Sequence, residues 1–137
     1  MAEIPAAKQF SKGDRVYVQA QQVWLILAAH VMQAPRRVAR PPLITYGEVA
    51  ERMGMDRRAG HTLGRQLGIV ANFCISNNLP PLNVIVVNQT SHMPGDDVIY
   101  RKSRKIPDEQ RAVYDFDWFS VRIPTTGTFR KVWEAMK

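Results

Sequence analysis

The chain has 137 residues, 45% of them hydrophobic, which suits one domain with a modest core. Nineteen Lys and Arg against twelve Asp and Glu give a formal charge of +7, and this balance points to an acidic partner, nucleic acid foremost. Cys74 is the one cysteine, which excludes an internal disulfide and a cysteine-based zinc site, and the three histidines lack ligand spacing, so we expect no metal and no other cofactor.

Residues 1–12 show no helical or strand periodicity and are predicted to form a loose N-terminal arm. They also lack the apolar core of a signal peptide. The longest apolar run, residues 23–29, is too short to cross a bilayer. These observations predict a soluble, cytoplasmic protein with no membrane partner.

A first helix is predicted from the apolar residues that recur at helical spacing between Val16 and Val31. Asp14 is the expected N-cap, and the helix should end near Ala34, because Pro35 cannot continue it. The linker after the helix is rich in arginine and proline, which favours an extended chain. Its cations are expected either to contact phosphates or to lie in a solvated loop: Arg36, Arg37 and Arg40.

The rest of the chain is organised around residues 44–78, which have the outline of a helix-turn-helix. Thr45 and Glu48 fit a capping box, in which the hydroxyl and the carboxylate satisfy two backbone N–H groups at a helix start. Gly54 stands where that helix should stop, and Asp56 can cap the next one. A short capped helix and a tight turn are therefore predicted here.

A longer helix with a basic start is predicted after this turn. Its apolar face is formed by residues at helical spacing: Ala59, Leu63, Leu67, Val70 and Phe73. Four basic residues near its start lie mostly off that face: Arg57, Arg58, His61 and Arg65. Because a recognition helix places its N-terminal residues in the major groove, these four are candidates for contact with bases and phosphates.

Three glycines recur every four residues in the same predicted helix: Gly60, Gly64 and Gly68. Each glycine weakens a helix by about 1 kcal/mol relative to alanine, so a stripe of them indicates that something approaches this backbone closely. Another element of the same core would do so, and so would a bound nucleic acid. The spacing does not separate the two interpretations.

A β-hairpin is predicted for residues 82–101, where it would form the wing of a winged helix. Residues 82–88 are apolar and β-branched, residues 89–97 have turn chemistry, and residues 97–101 have the pattern of a return strand. Four cations follow within five residues and are candidates for phosphate contact: Arg101, Lys102, Arg104 and Lys105.

Residues 107–137 are predicted to form a helical tail. Pro107, followed by two acidic residues, makes a favourable helix start, and an amphipathic helix closes the chain. The aromatic run between the two helices, residues 114–119, is expected to pack in the core. Together the elements predict an α+β fold, a single mainly helical, winged helix-turn-helix-like domain with a small β-hairpin and C-terminal helices.

The segment ITYGEVAERMGMDRRAGHTLGRQLG, residues 44–68, resembles the winged-helix DNA-binding domain of the alkylguanine-DNA alkyltransferase and alkyltransferase-like families. The matching pieces are TYGEVA at residues 45–50 and AGHTLG at residues 59–64. The resemblance implies duplex DNA as the partner, with Tyr46 helping to rotate a target nucleotide out of the stack. Where those families carry an inserting arginine, this sequence has His61.

The reactive-cysteine motif of the alkyltransferases, Pro-Cys-His-Arg, has no counterpart in the corresponding region, residues 79–84, which reads LPPLNV. Cys74 lies earlier, among apolar residues, and is expected to be a buried structural thiol. Alkyl transfer is therefore not expected. The sequence also lacks phosphate-loop, serine-hydrolase and deaminase signatures, so we expect no enzyme.

These observations predict a small, non-enzymatic protein that binds duplex DNA through its helix-turn-helix and a basic wing. Tyr46 and Arg40 would contact the DNA backbone beside the basic helix start. The alternative is a phage or mobile-element module that inhibits or recruits a host protein through its basic face. RNA shares the charge argument, but RNA modules commonly stack bases on exposed aromatic rings, and here the aromatic residues are expected to be buried.

Overall fold

The computed structural model describes residues 2–35 and 39–137, so the predictions for Arg36 and Arg37 lie outside the described residues. This part of the chain is mainly helical and contains a small two-stranded sheet, which confirms the α+β class. The α-helices are α1 Val16–Gln33, α2 Tyr46–Arg52, α3 Gly64–Ser76, α4 Ile106–Asp115 and α5 Thr126–Ala135. Shorter 3-10 helices span Arg57–Thr62, Leu82–Ile85 and Trp118–Ser120. The strands are β1 Ile44–Thr45 and β2 Val86–Val87.

Helix α1 is the centre of the core, where it packs against α3, α5 and the Leu82–Ile85 turn. Its Trp24 ring meets Phe73 of α3 and Trp118 edge-on, with ring centroids 5.5 Å apart in both pairs. Phe129 of α5 stands 5.5 Å from the Phe73 ring and is fully buried. Edge-to-face contacts of this kind add to the burial of apolar area, so the three helices share one aromatic centre.

The predicted bounds of α1 are confirmed, but its predicted N-cap is wrong. Arg15 occupies the N-cap position and makes no side-chain cap. The Asp14 carboxylate instead accepts hydrogen bonds from the backbone N–H and the hydroxyl of Ser11, at 2.8 and 3.0 Å. Asp14 therefore closes the turn before the helix, because local bonds to nearby groups compete with capping.

The helix-turn-helix region begins as predicted and then departs from the prediction. The Thr45–Glu48 capping box is present, and Asp56 accepts a hydrogen bond from the backbone N–H of Arg58. The second helix is not continuous, because residues 57–62 form a 3-10 helix and α3 starts only at Gly64. The Thr62 hydroxyl donates to the carbonyl of Ala59 at 2.6 Å, a local bond that competes with regular helix.

The predicted β-hairpin is wrong. Strand β2 pairs in parallel with β1, with Ile44 opposite Val86 and Thr45 opposite Val87, and residues 97–101 form no strand. Side chains satisfy the backbone groups that a return strand would have used. Asn83 donates to the carbonyl of Ile99 at 2.9 Å, and the N–H of Arg101 donates to Glu109 at 3.1 Å.

The C-terminal helices agree with the prediction. Pro107 lies in the first turn of α4, and the Thr125 hydroxyl caps α5 by accepting from the N–H of Thr128 at 3.1 Å. Trp118 is buried in the core, whereas Phe119 beside it is 82% exposed, so the expectation that this aromatic run packs holds only in part. Within residues 2–35 and 39–137, no helix has the length and apolarity needed to cross a membrane.

Candidate nucleic-acid interface

The 3-10 helix Arg57–Thr62 is held against the start of α2 by Gly60. A Cβ built on Gly60 would lie 2.6 Å from the carbonyl carbon of Tyr46 and 2.8 Å from the backbone nitrogen of Gly47. Backbone therefore touches backbone here, and only glycine leaves enough room. The contact leaves Arg57, Arg58 and His61 of the same short helix at the surface.

Arg57 and Arg58 each already have an acidic partner. Arg57 forms an ion pair with Glu51 at 3.0 Å, and Arg58 forms one with Asp56 at 3.0 Å. Hydrogen bonds from Arg58 lower the pKa of the Asp56 carboxyl. Exposed pairs of this kind contribute at most about 1 kcal/mol, so a phosphate can replace either carboxylate at little cost.

His61 and Arg65 lie on the two sides of the break between the 3-10 helix and α3. The His61 ring hydrogen-bonds through Nδ1 to the carbonyl of Arg58, which leaves its other ring nitrogen for a ligand. Arg65 is exposed in the first turn of α3, and it makes no ion pair with any residue that the structure describes.

Helix α3 offers its end and not its side to a partner. Gly64 and Arg65 are exposed, but the next six residues, 66–71, are all buried. A helix whose central residues are buried in this way cannot lie lengthwise in a groove. Contact with nucleic acid would therefore involve the first turn of α3 and the 3-10 helix before it.

Tyr46 contributes its side chain to the same region. Its hydroxyl accepts a hydrogen bond from the N–H of Gly95 at 2.8 Å. Burial is the main cause that raises the pKa of Tyr46, with the nearby Asp97 charge adding to it. The phenol therefore keeps its proton at neutral pH and can donate a hydrogen bond.

A pocket of about 340 Å³ brings three of the predicted site residues together, Tyr46, Arg57 and His61. Gly60, Gly64 and Gly68 all line it. A Cβ on Gly68 would meet Met136 at 3.3 Å, whereas one on Gly64 would meet nothing within 4 Å. The glycine stripe thus combines close packing at two positions with an open pocket wall at the third.

The cations of residues 101–105 divide into two kinds. Arg101 and Arg104 both bind Glu109, with closest ion-pair distances of 2.6 and 2.8 Å. Glu109 is completely buried. Lys102 and Lys105 are exposed and make no ion pair within the described part of the chain, although the Lys102 ammonium lies 4.6 Å from the Tyr100 ring centroid. The two arginines are therefore structural, and the two lysines stay available to a ligand.

Sequence reasoning missed the structural role of Glu109. The sequence predicts only that this acidic residue favours a helix N-terminus, and it does lie in the first turn of α4. The available signal was its spacing. Glu109 stands four residues before the buried Val113, which places both on the inner face of the helix.

Arg40 lies in a segment that is held against α4. It is exposed, and its neighbours are held by α4, because the carbonyl of Ala39 accepts from Arg111 and that of Pro42 accepts from the Tyr114 hydroxyl. Among the described residues, no hydrogen bond or ion pair joins Arg40 to the basic 3-10 helix. A ligand would have to be extended to reach both.

In the part of the chain that the structure describes, no three His, Cys, Asp or Glu side chains come together in a way that could hold a metal ion.

Comparison with known proteins finds no matching family model, no similar curated protein and no similar solved structure.

Proposed function

We propose that the protein binds duplex DNA through the surface formed by the 3-10 helix Arg57–Thr62, the first turn of α3 and the loop of residues 101–105. The observation that carries this proposal is the group of exposed cations on the 3-10 helix and the first turn of α3, Arg57, Arg58 and Arg65, on a chain of formal charge +7. The resemblance of residues 44–68 to alkyltransferase-like DNA-binding domains also favours a duplex. The loop of residues 101–105 would serve as the basic wing, although it is not a hairpin.

Affinity would come mainly from phosphate neutralisation, which releases counterions from the DNA. The cations that can take part are those not ion-paired with a buried residue: Arg57, Arg58, Arg65, Lys102 and Lys105. Arg40, beside α4, would take part only if the DNA extends to it. Arg101 and Arg104 would contribute less, because both are already ion-paired with Glu109. The expected log–log salt slope is about −0.9 for each phosphate that the protein neutralises.

The experiment is fluorescence anisotropy with labelled duplex DNA, single-stranded DNA and RNA, each at two salt concentrations. We expect duplex to bind best and its affinity to fall steeply with salt. Arg65→Glu should abolish most of the binding, because it replaces an exposed cation at the tip of α3. Arg122→Glu makes the same charge change at an exposed position in the loop before α5 and is the matched control.

Equal losses in the two variants would show that only net charge matters, and this would overturn the assignment of the surface. Absence of duplex binding at low salt would overturn the proposal itself.

The second candidate is an interaction module that binds an acidic host protein through the same basic face. The ion pairs Arg57–Glu51 and Arg58–Asp56 favour it, because this face already accepts carboxylates as partners. Recovery of the protein from cells in stoichiometric complex with another protein, free of nucleic acid, would support this candidate over DNA binding. An excess of nucleic acid in the purified protein that high salt removes would support the first.

A further inference from the structure

The pocket beside the basic 3-10 helix has the size and the walls of a small-molecule site. Its volume of about 340 Å³ is at the lower end of the range for ligand pockets. Glycine backbones form one side of it, and Tyr46, Leu67 and Ile99 supply apolar surface. Backbone walls without side chains leave a flat space, which favours a planar ligand.

Asn83, one of the residues that line this pocket, carries an unpaired polar atom. Asn83 is only 4% exposed, and its Nδ2 donates to the carbonyl of Ile99 at 2.9 Å. That bond fixes the orientation of the amide, because an oxygen facing the Ile99 carbonyl would be repelled. Its Oδ1 is therefore a buried acceptor, and it has no hydrogen-bond partner in the described part of the chain. Buried polar groups are normally paired, so we expect this oxygen to accept a hydrogen bond from a bound ligand.

The other polar groups of the pocket define the charge of the ligand. The Asp97 carboxylate lines it and disfavours an anion, whereas the Arg57 guanidinium lines it and disfavours a full cation. The Tyr46 hydroxyl can donate one hydrogen bond in return. The complementary molecule is uncharged, offers N–H groups to Asn83 and Asp97, and carries one acceptor for Tyr46.

We propose that this pocket binds a small, flat, uncharged molecule that donates N–H groups, of the primary aromatic carboxamide class. Such a molecule presents two N–H donors and one carbonyl acceptor on the edge of a planar ring. Arg57 lines this pocket and also belongs to the proposed DNA surface, but the groups that would bind the amide are Asn83, Asp97 and Tyr46, so the proposal does not depend on DNA binding.

The test is a titration of the isotope-labelled protein with benzamide, followed by two-dimensional NMR in the absence of nucleic acid. We expect saturable shifts centred on the amides of the pocket glycines, which resonate in a separate region of the spectrum. N,N-dimethylbenzamide lacks the N–H donors and should bind about tenfold more weakly, the loss expected for one buried hydrogen bond. Benzoate tests the exclusion of anions and should bind weakly too.

Asn83→Leu replaces the unpaired acceptor by an apolar side chain of similar shape and should remove the preference for benzamide over its dimethyl analogue. Gly64→Ala adds a methyl group at the open pocket wall and should weaken benzamide binding without disturbing the fold, so it serves if Asn83→Leu does not fold. Equal binding of the two amides by the native protein would overturn the proposal, and so would an absence of saturable shifts.

Discussion

The single residue Glu109 determines which cations of residues 101–105 are held in ion pairs within the protein. Its fully buried carboxylate accepts hydrogen bonds from the Arg101 backbone and side chain and forms an ion pair with Arg104. Hydrogen bonds with Glu109 raise the pKa of Arg101. The loop of residues 101–105 is thereby fixed to the start of α4. Two of its four cations, Arg101 and Arg104, are already ion-paired within the protein.

Replacement of Glu109 by Gln should destabilise the protein strongly. The variant leaves two arginines facing a neutral group at a buried position, and loss of one member of a buried ion pair costs about 3 kcal/mol. Chemical denaturation measures the loss. Asp108→Asn removes the neighbouring exposed carboxylate and should cost less than about 1 kcal/mol, the usual effect of a charge near a helix end. Similar losses in the two variants would mean that Glu109 has no special structural role.

At the scale of the element, the basic 3-10 helix depends on its contact with the start of α2. Gly60 allows that contact, and the Thr45–Glu48 capping box fixes where α2 begins. The position of Arg57, Arg58 and His61 follows from these two local features. A distortion here would move the candidate interface even if every cation were kept.

Two alanine substitutions separate the roles of the glycines. Gly60→Ala should cost about 1–3 kcal/mol, the usual range for overpacking, because the new methyl group would meet the backbone of Tyr46 and Gly47, which cannot yield as a side chain can. Gly64→Ala should be neutral or stabilise by up to about 1 kcal/mol, since its methyl group meets no atom within 4 Å and alanine favours helix. Thermal or urea unfolding compares them. A reversed order would contradict the packing described for Gly60.

The elements that could be predicted from the sequence are those fixed by local chemistry. The capping box, the proline start of α4 and the periodicity of α1 each depend on residues a few positions apart. The return strand could not be predicted, because distant side chains, Asn83 and Glu109, take its backbone groups. The close approach of Gly60 to Tyr46 could not be predicted in full either, because the glycine spacing indicates a contact without giving the partner.

At the scale of the whole molecule, α1, α3, α5 and the Leu82–Ile85 turn share one core. Cys74 of α3 is completely buried within it. Burial raises the pKa of the Cys74 thiol to about 12, and a hydrogen bond with the backbone of Leu82 offsets only part of this. The prediction that this cysteine is a buried structural thiol is confirmed.

Cys74 should therefore report global unfolding. With a pKa of about 12, only about one thiol in ten thousand is ionised at pH 8, and the sulfur is out of reach of a reagent. We expect labelling by a thiol reagent at pH 8 to be slow in the native protein and fast in denaturant. The native rate should rise with added urea at the slope of complete unfolding. Fast labelling without denaturant would show that α3 opens locally.

The parallel pairing of Ile44 with Val86 means that residues 44–78 could not be transplanted alone into another scaffold. Residues 44–78 look portable along the chain, yet their first strand hydrogen-bonds to a strand beyond their own end, and α3 packs on the α1 helix before them. An excised piece would lack both supports and would expose the apolar side of α3. We therefore expect the candidate interface to form only when the entire domain is present.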